Sequence, residues 1–518
     1  MGLGQPGRQP SLLANTAWYS TATLFTLLFA LLTSVIVARY LGPGALGLLG
    51  LAQSIRLTVM MGLDLGLPSA ATRFIAELKG GGRDPEAETV ARALTGAQAG
   101  LAASAGAILA LLSGRIADLL GQPAVAPLLP IVALSLSLTL LNAILAGRLL
   151  GLQQFRLKST LDTASAMLGL TGAALVVASG SGVRELLWVD VGVATVQALV
   201  LLTRPVLWRA ASTVPLGHEL RGNLVRYCIG VFLMTAFEAV IWQRSEVFFL
   251  GRFGLTTDIG VYAVSFTLAT IPVTLIPFSL AAALLPVLSA RFGAHGRTSF
   301  IPIYAAATKY SAMIALPMCA LVMGLAGPIV RVVYGEAYDS SVDVLRILLV
   351  GAALGAVSAP GSHVFLALGQ PATRAIWGIP IAALNIGLAF ALVPPFGAVG
   401  AAVAKSLSQA VHVFADAFYL RQARGATLPL GQIARAAVAV VPLGVLGYVL
   451  SVRLEALTSV VVTCLLSISY IPFLLALRVV DATDFELLRD LANGSPRPAR
   501  LLLVPAIQYG RRIAGLGP

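Results

Sequence analysis

Charged side chains are scarce in this sequence of 518 residues. Asp, Glu, Lys and Arg together make up 11% of it, and hydrophobic residues make up 58%. Soluble domains carry about 25% charged residues, so this composition excludes a soluble enzyme. It also excludes a disordered chain, because such chains are poor in apolar residues and rich in charge. The sequence therefore predicts a protein that lies almost entirely in a membrane.

Cysteine and histidine are also rare, with three and four residues, respectively. Cys228, Cys319 and Cys464 all lie in apolar runs, where cysteine is normally a small buried hydrophobe. The spacing indicates neither a disulfide framework nor a metal site. A Walker motif and a Gly-x-Ser-x-Gly motif are absent from the sequence, which disfavours ATP hydrolysis and hydrolase chemistry. We therefore expect no cofactor and no metal.

Long apolar runs, closed by charged or Pro/Gly-rich breaks, are the main pattern in the chain. A helix needs about 20 apolar residues to cross the hydrocarbon core, whereas strands of membrane barrels show shorter, alternating runs. The pattern predicts an all-α polytopic membrane protein with about fourteen transmembrane helices. The predicted spans are 12–38, 44–72, 91–113, 128–147, 160–179, 184–203, 226–250, 258–290, 304–327, 342–368, 374–394, 397–420, 432–452 and 457–478. The first span lacks a clear cleavage site and is interpreted as a retained helix.

Basic residues are distributed unequally between the two sides of the predicted bundle. Loops on the N-terminal side hold nineteen Lys and Arg residues before the tail, and the opposite loops hold six, namely Arg39, Arg115, Arg184, Arg252, Arg331 and Arg453. Cytoplasmic loops are enriched in Lys and Arg. This bias predicts that both termini are cytoplasmic. It also explains the net charge of +13 without a nucleic-acid partner.

A weak internal repeat is present. Arg39-Tyr40 and Gly47 recur as Arg252-Phe253 and Gly260, 213 residues later, and the stretch ending at Arg156 resembles the one ending at Arg374, 218 residues later. The repeat predicts four parts: an N-terminal six-helix lobe (1–215), a C-terminal six-helix lobe (216–425), two extra helices (426–480) and a cytoplasmic tail (481–518). Six helices is an even number, so the two lobes are parallel repeats about an axis along the membrane normal.

Four segments resemble a known family. They are ARYLGPGALGLLGLAQS (38–54), GLDLGLPSAATRFIAE (62–77), FLGRFGLTTDIGVYAVS (249–265) and the stretch FLALGQPATRAIWGIPIAALNIGLAFALVPPFGAVGAAVAKSLSQ (365–409). Through them the chain resembles the polysaccharide-export flippases of the multidrug/oligosaccharidyl-lipid/polysaccharide superfamily, over about residues 12–420. The resemblance implies two six-helix lobes around a central cavity that opens alternately to each side of the membrane.

The resemblance also implies a function, which is translocation of a polyprenyl-linked oligosaccharide across the cytoplasmic membrane for glycan export. The implied partners are the lipid-linked substrate, membrane lipids, and a glycan polymerase or glycosyltransferases. A multidrug/cation antiporter of the same superfamily and a lipid II flippase are the alternatives. A membrane glycosyltransferase or ligase is disfavoured, because the acidic residues on external loops cluster only at Glu336, Asp339 and Asp343.

Arg56 is the basic residue nearest the middle of a predicted span. It lies about 18 Å along the helix from Gly44. A charged residue at the bilayer centre is expensive to insert, so it is a functional hypothesis by default. The phosphate of a lipid-linked sugar needs charge compensation, and the guanidinium can donate two hydrogen bonds to it at once. The alternative is an arginine that braces helices through backbone carbonyls or an Asp.

Span seven carries the densest group of charges within a span, which comprises Glu238, Arg244 and Glu246. Arg244 is a second candidate for binding the headgroup phosphate, and Glu246 for ion coupling or charge pairing. Both lie close enough to the external end to snorkel to the interface. Glu238 lies deeper, and it either accepts a coupling ion or proton or pairs with Arg244.

Other intramembrane polar residues give less specific signals. Lys405 in span twelve could contact the substrate phosphate or lipid headgroups. Asp64 precedes Gly66 and Pro68, so a role at a bent or ending helix is favoured over ion coupling. Arg346 lies inside span ten, and His412 and Asp416 lie one turn apart in span twelve. Pro272, Pro277 and Pro286 are candidate bends in span eight. The tail contains a basic, partly apolar segment that either lies on the inner leaflet or is disordered.

Overall fold

The computed structural model describes residues 12–207, 214–274, 300–367, 371–480 and 484–485. Within these ranges the chain is helical, without any strand, which confirms the predicted all-α class. The α-helices, numbered in chain order, are α1 (Leu12–Leu63), α2 (Leu67–Gly80), α3 (Asp84–Leu111), α4 (Ser113–Leu119), α5 (Leu129–Gly151), α6 (Phe155–Ala178), α7 (Val183–Leu202), α8 (His218–Trp242), α9 (Glu246–Arg252), α10 (Thr256–Thr274), α11 (Ile301–Gly324), α12 (Ala326–Val333), α13 (Ser341–Ala367), α14 (Pro371–Arg424), α15 (Leu430–Arg453), α16 (Ala456–Leu466) and α17 (Tyr470–Ala476). Short 3-10 helices cover Pro123–Leu128, Pro205–Leu207, Glu336–Tyr338 and Ser467–Ser469.

Ten helical stretches in these ranges are long and apolar enough to cross a membrane. Two of them, within α1 and α14, each contain two of the predicted spans. Span eight begins as α10 and continues into residues 275–299, outside the described ranges, where Pro277 and Pro286 also lie. Span fourteen corresponds to α16 and α17 with the 3-10 helix between them. Each predicted span thus coincides at least in part with described helix.

Glycines mark the points where the two long helices turn. Gly42 has φ 71° and ψ 173°, and Gly397 has φ 53° and ψ −131°. Residues with a Cβ rarely adopt positive φ, so glycine is required at both places. A proline follows Gly42 directly, and two prolines shortly precede Gly397. Each helix is therefore two spans joined at a kink.

Span seven is the clearest correction to the sequence analysis. A continuous helix is predicted over 226–250, but α8 ends at Trp242 and α9 begins at Glu246. The break places Arg244 in non-helical backbone. No proline or glycine lies within Trp242–Glu246 to signal it.

The order of elements occurs twice along the chain. A long helix, a short helix, a 3-10 helix and a long helix follow one another from α3 to α5 and again from α11 to α13. Gly121 and Gly335, both with positive φ, lie 214 residues apart, and Gly180 and Gly397 lie 217 apart. These separations are close to those of the sequence repeat.

Packing divides the chain into two compact units that do not follow the chain order. Unit 1 contains the described residues up to Thr267 together with Pro371–Ser408, and unit 2 contains the described residues from Leu268 to 367 and from Gln409 onward. The core of unit 1 is built on α2, α3 and α5, around Phe74, Leu94 and Leu145. In unit 2 one core packs around Phe300 and Phe365 and another around Leu443. The predicted lobe boundaries at 215 and 425 stay a prediction.

Large apolar side chains also cover much of the exterior. Leu111, Leu175 and Phe390 are at least 66% exposed. Soluble monomers rarely expose large contiguous apolar surface. With the long helices, this exterior is that of a multi-pass membrane protein.

A reciprocal contact joins the two repeats within unit 1. A Cβ built on Gly47 would lie 1.9 Å from the carbonyl oxygen of Thr256, and one built on Gly260 would lie 2.0 Å from that of Pro43. Gly260 and Thr256 are the residues 213 positions after Gly47 and Pro43. The second half of α1 and the first turns of α10 therefore approach so closely that neither glycine can be replaced without displacing backbone.

Candidate functional site

Arg56 lies on the second half of α1 and is half-buried. Its Nη1 donates to Thr139 Oγ1 on α5, at 3.3 Å. One turn earlier, Gln53 Nε2 donates to Asp190 Oδ2 on α7, at 3.3 Å. Residues three apart lie on the same face of a helix. Arg56 and Gln53 therefore direct one face of α1 towards polar groups of two neighbouring helices.

Asp190 completes this polar site. Its carboxylate is attracted by the charge of Arg56, and the hydrogen bond it accepts among the described residues comes from Gln53. The guanidinium therefore has a carboxylate in its vicinity and a neutral hydroxyl as its hydrogen-bond partner. We call Arg56, Gln53, Thr139 and Asp190 the Arg56 site.

Further polar side chains continue the interface between α5 and α7. Asn142 Nδ2 donates to the carbonyl oxygen of Ala194 at 2.9 Å and to Gln197 Oε1 at 3.4 Å. Asn142 follows Thr139 by three residues, and Gln197 follows Asp190 by seven, so each pair shares a helix face. A line of polar groups thus runs along these two helices from the Arg56 site.

Arg148, in the same unit, provides a comparison, because its contacts are those of an arginine that braces neighbouring helices. It is 2% exposed, donates to Thr95 Oγ1 at 3.2 Å and to the carbonyl oxygen of Leu207, and lies 3.6 Å from Glu88. Arg56 differs from it in exposure and in partners. Among the described residues, the partner that accepts from Arg56 is one hydroxyl.

Arg244 occupies the break between α8 and α9 and is half-buried. Its Nη2 donates to Thr267 Oγ1 at 3.1 Å, and its guanidinium carbon lies 4.8 Å from the centre of the Phe266 ring. This distance is typical of a cation–π contact. Of its predicted partner Glu238, only the backbone in α8 is described, and the side chain lies outside the described structure.

Glu246, the first residue of α9, is 0% exposed, so it does not snorkel to the interface. Its Oε2 accepts from the Tyr262 hydroxyl at 2.9 Å, and its Oε1 accepts from Asn385 Nδ2 at 2.9 Å. Lys405 Nζ lies 3.4 Å from Oε2. Glu246 thus lies in contact with a cationic group, and the choice between ion coupling and charge pairing stays a prediction.

Lys405 is 1% exposed. Its ammonium donates to the carbonyl oxygens of Ile241, at 3.3 Å, and Gln243, in addition to the Glu246 contact. A lysine has three N–H donors, and these three acceptors match them. The phosphate role of Lys405 stays a prediction, and its contacts support the different role argued below.

The remaining predicted residues have partners of their own or lie at a helix end. Asp64 is in the turn between α1 and α2, beside Leu65 and Gly66 with φ 45° and 69°, so the helix ends there as the sequence indicates. His412 and Asp416, in unit 2, are buried with 3.5 Å between Nε2 and Oδ2. Arg346 pairs with Asp343 at 3.2 Å.

Two of the three acidic residues of the rival enzyme hypothesis, Asp339 and Asp343, have ionic partners. Asp339 accepts from Arg331 at 2.9 Å, and Asp343 from Arg346 at 3.2 Å. Groups of three or more Cys, His, Asp or Glu that could hold a metal ion are absent from the described part of the chain.

Asp190 and Gln53 were missed by the sequence analysis. The signal for Asp190 was available, because it is a carboxylate inside predicted span six, at 184–203. A charged residue in a span is a functional hypothesis by default. Gln53 could have been found from its spacing of three from Arg56, but its partner on α7 could not.

Comparison with known proteins gives both a family and a fold. A family model described as "Polysaccharide biosynthesis protein" matches residues 36–343. No curated protein matches the sequence. A multidrug resistance MATE family transporter of the MOP superfamily, in an inward-facing conformation, has a similar structure with TM-score 0.67 and 18% identity over 77% of this chain and 95% of its own.

Two further solved structures share the fold. The lipid II flippase MurJ, in an inward closed conformation, has TM-score 0.68 and 16% identity over 87% of this chain and 97% of its own. A MOP superfamily transporter from Pyrococcus furiosus has TM-score 0.60 and 16% identity over 80% of this chain and 95% of its own. At these identities the likeness concerns the fold.

Proposed function

Because the chain belongs to the polysaccharide biosynthesis protein family, with the fold of MOP superfamily transporters, we propose that it is a flippase for a lipid-linked oligosaccharide. The substrate carries a phosphate or pyrophosphate between a polyprenyl tail and a sugar headgroup. The headgroup crosses through a polar interior, while the tail remains in lipid.

The observation that carries the proposal is the Arg56 site. A phosphate cannot enter hydrocarbon without charge compensation. Arg56 supplies a positive charge inside the membrane, is half-buried, and is held by a single neutral hydroxyl among the described residues. Phosphate oxygens can replace that hydroxyl and accept two parallel hydrogen bonds from the guanidinium. The polar line from Thr139 to Gln197 then offers hydrogen-bonding groups to the sugar.

Arg244 is the second cation of the proposal. It stands in non-helical backbone and is half-buried, and its partners include a neutral hydroxyl and an aromatic ring. Alternating access moves the two repeats about the substrate. We propose that Arg56 and Arg244, one from each repeat, bind the headgroup phosphate in turn.

Asp190 favours a second candidate function. A half-buried carboxylate within the membrane suits a cationic substrate, which a multidrug/cation antiporter of the same superfamily would carry. The two functions differ in the residue on which they depend. Arg56 is required for an anionic headgroup, and Asp190 for a cation.

The deciding experiment measures transport per folded molecule in reconstituted vesicles. The probe is a fluorescently labelled polyprenyl-pyrophosphate saccharide, and its exposure is measured with a membrane-impermeant quencher. Arg56→Ala should abolish its translocation at unchanged melting temperature, because removing an intramembrane charge lowers the insertion cost. Arg56→Lys should keep partial activity, since the charge remains but the two-pronged geometry is lost.

Arg148→Ala is the matched control. It removes a buried arginine of the same unit and should lower the melting temperature, because the Leu207 carbonyl and the Thr95 hydroxyl lose their donor and Glu88 keeps only Arg92. Full activity of Arg56→Ala would eliminate Arg56 as the phosphate receptor. An equal loss of stability in both variants would make Arg56 a brace. Absence of saccharide translocation by wild type, together with transport of a cationic substrate that is lost in Asp190→Asn, would establish the antiporter.

A further inference from the structure

The break between α8 and α9 brings three oxygen atoms together around the ammonium group of Lys405. A helix end leaves its last carbonyl groups without intrahelical partners. At this end the carbonyl oxygens of Ile241 and Gln243 accept from Lys405 Nζ, and Glu246 Oε2 lies 3.4 Å from the same nitrogen. We call these three oxygens and Lys405 Nζ the ammonium cage.

Neighbouring side chains fix the carboxylate of the cage in place. Glu246 is fixed by the Tyr262 hydroxyl and by Asn385 Nδ2, both at 2.9 Å. Lys405, Glu246, Tyr262 and Asn385 are each at most 1% exposed. The network joins α8, α9, α10 and both halves of α14 within unit 1. The intact network therefore exposes almost none of its polar atoms to water.

The ligand set resembles that of a monovalent metal ion. Carbonyl oxygens of unwound backbone at helix ends, together with a carboxylate, are the groups that coordinate Na⁺ in membrane transporters. In this chain an ammonium group occupies the centre instead. It brings one positive charge to one carboxylate and has three N–H groups for three oxygen acceptors.

We infer that Lys405 is a built-in cation, and that the oxygen cage at the α8–α9 break binds a monovalent cation when this ammonium is removed. The protein as it exists needs no dissolved ion at this place. The role of Lys405 is positioning, because its contacts fix the non-helical turn from which Arg244 projects. This inference is independent of the transported substrate.

The test uses the full-length protein purified in detergent and measures its melting temperature in different chlorides at one ionic strength. Lys405→Ala leaves space for a propylammonium ion, which replaces the four missing side-chain heavy atoms. In N-methylglucamine chloride this variant should melt about 5 °C or more below wild type, because removing one partner of a buried ion pair is strongly destabilising. Sodium, potassium, ammonium or propylammonium should restore at least half of that loss with a saturable dependence on concentration.

Three controls make the result specific. Wild-type protein should melt at the same temperature in every chloride, since its cage is occupied. Propanol, which has the shape of propylammonium without the charge, should not rescue Lys405→Ala. The double variant Lys405→Ala, Glu246→Gln should lose the cation dependence, because the charge that attracts the ion is gone.

Two results would overturn the inference. One is a Lys405→Ala protein whose melting temperature is the same in all chlorides. The other is an equal cation dependence in wild type or in the double variant. If Lys405→Ala does not accumulate in membranes, the series is repeated with Lys405→Ser, whose hydroxyl adds an oxygen ligand, and with propylammonium present throughout purification. Failure of both variants under that condition also contradicts the inference.

Discussion

The contact between the two repeats allows a test of the proposed alternating access, in which the two repeats rock against each other about the substrate. A Cβ built on Gly50 of α1 lies 3.9 Å from the Cβ of Ala263 on α10. Disulfides have Cβ–Cβ distances of about 3.5–4.5 Å. The double variant Gly50→Cys, Ala263→Cys should therefore form a disulfide readily in the described state. Gly47, only one turn away, cannot serve, because its Cβ would overlap the Thr256 carbonyl.

The disulfide tolerates little movement. Once the two Cα atoms separate beyond about 7 Å, the bond cannot form without backbone displacement. In the proposed mechanism α1 and α10 belong to different repeats and move apart at this end when the cavity opens there. Oxidation should then stop translocation in vesicles, and a reductant should restore it. The fraction of crosslinked protein is read from gel mobility after proteolysis between the two cysteines.

A second pair of positions provides the matched control. A Cβ on Gly444 lies 3.8 Å from the Cβ of Ala320, and this pair does not join the two repeats, because Gly444 on α15 follows the second repeat. Gly444→Cys, Ala320→Cys should crosslink equally well and leave translocation unchanged. Cys228 and Cys319 are free and buried, and single-cysteine variants measure their background. Translocation at full rate with the Gly50–Ala263 disulfide fully formed would refute the rocking model at this junction, and absence of the disulfide would refute the contact itself.

Three other predictions concern orientation and stability. Arg83→Cys in intact cells should not react with a membrane-impermeant reagent, because the charge bias predicts that residues 79–90 are cytoplasmic. Labelling of this cysteine from outside the cell would contradict the predicted orientation. Asp484→Ala should lower the melting temperature by several degrees, because the buried ammonium of Lys309, 2.5 Å from Asp484 Oδ2, loses this carboxylate. The double variant Lys309→Met, Asp484→Leu should melt at a higher temperature than Asp484→Ala. A lower melting temperature of the double variant would show that Asp484 does not stabilise the protein through this ion pair. Gly397→Val should lower the amount of protein in the membrane, since the φ of 53° at this position excludes a β-branched residue and the added Cβ would lie 2.7 Å from an Asp258 carboxylate oxygen. A normal melting temperature of this variant would mean that the kink in α14 is not required.

Features that depend on one segment of chain were predictable from the sequence. The helix end at Asp64 follows from Gly66 and Pro68, which are local signals. The apolar runs gave the helices because insertion depends on the hydrophobicity of each segment by itself. Arg56 stood out because a charge in an apolar run is conspicuous. These inferences need no knowledge of which helices are neighbours.

Features that depend on helix pairing were not predictable. Glu246 and Lys405 are 159 residues apart, and spacing along the chain cannot show that their helices touch. Arg244 was expected to pair with Glu238 on its own helix, which stays a prediction, and its contacts with Thr267 and Phe266 on α10 could not be read from spacing along the chain. The break at residues 243–245 carries no proline or glycine. It is stabilised by Lys405, a residue from a distant helix, so its cause lies in tertiary contact.

The discontinuous make-up of unit 1 also affects how the protein is made. Glu246 emerges from the ribosome 139 residues before Asn385 and 159 residues before Lys405. At a synthesis rate of about 5–20 residues per second, its partners arrive about 7–32 s later. An uncompensated carboxylate is costly in hydrocarbon, so the break between α8 and α9 cannot reach its final packing in that interval. A chain truncated before α14 would leave Glu246 without its cation and without the Asn385 amide.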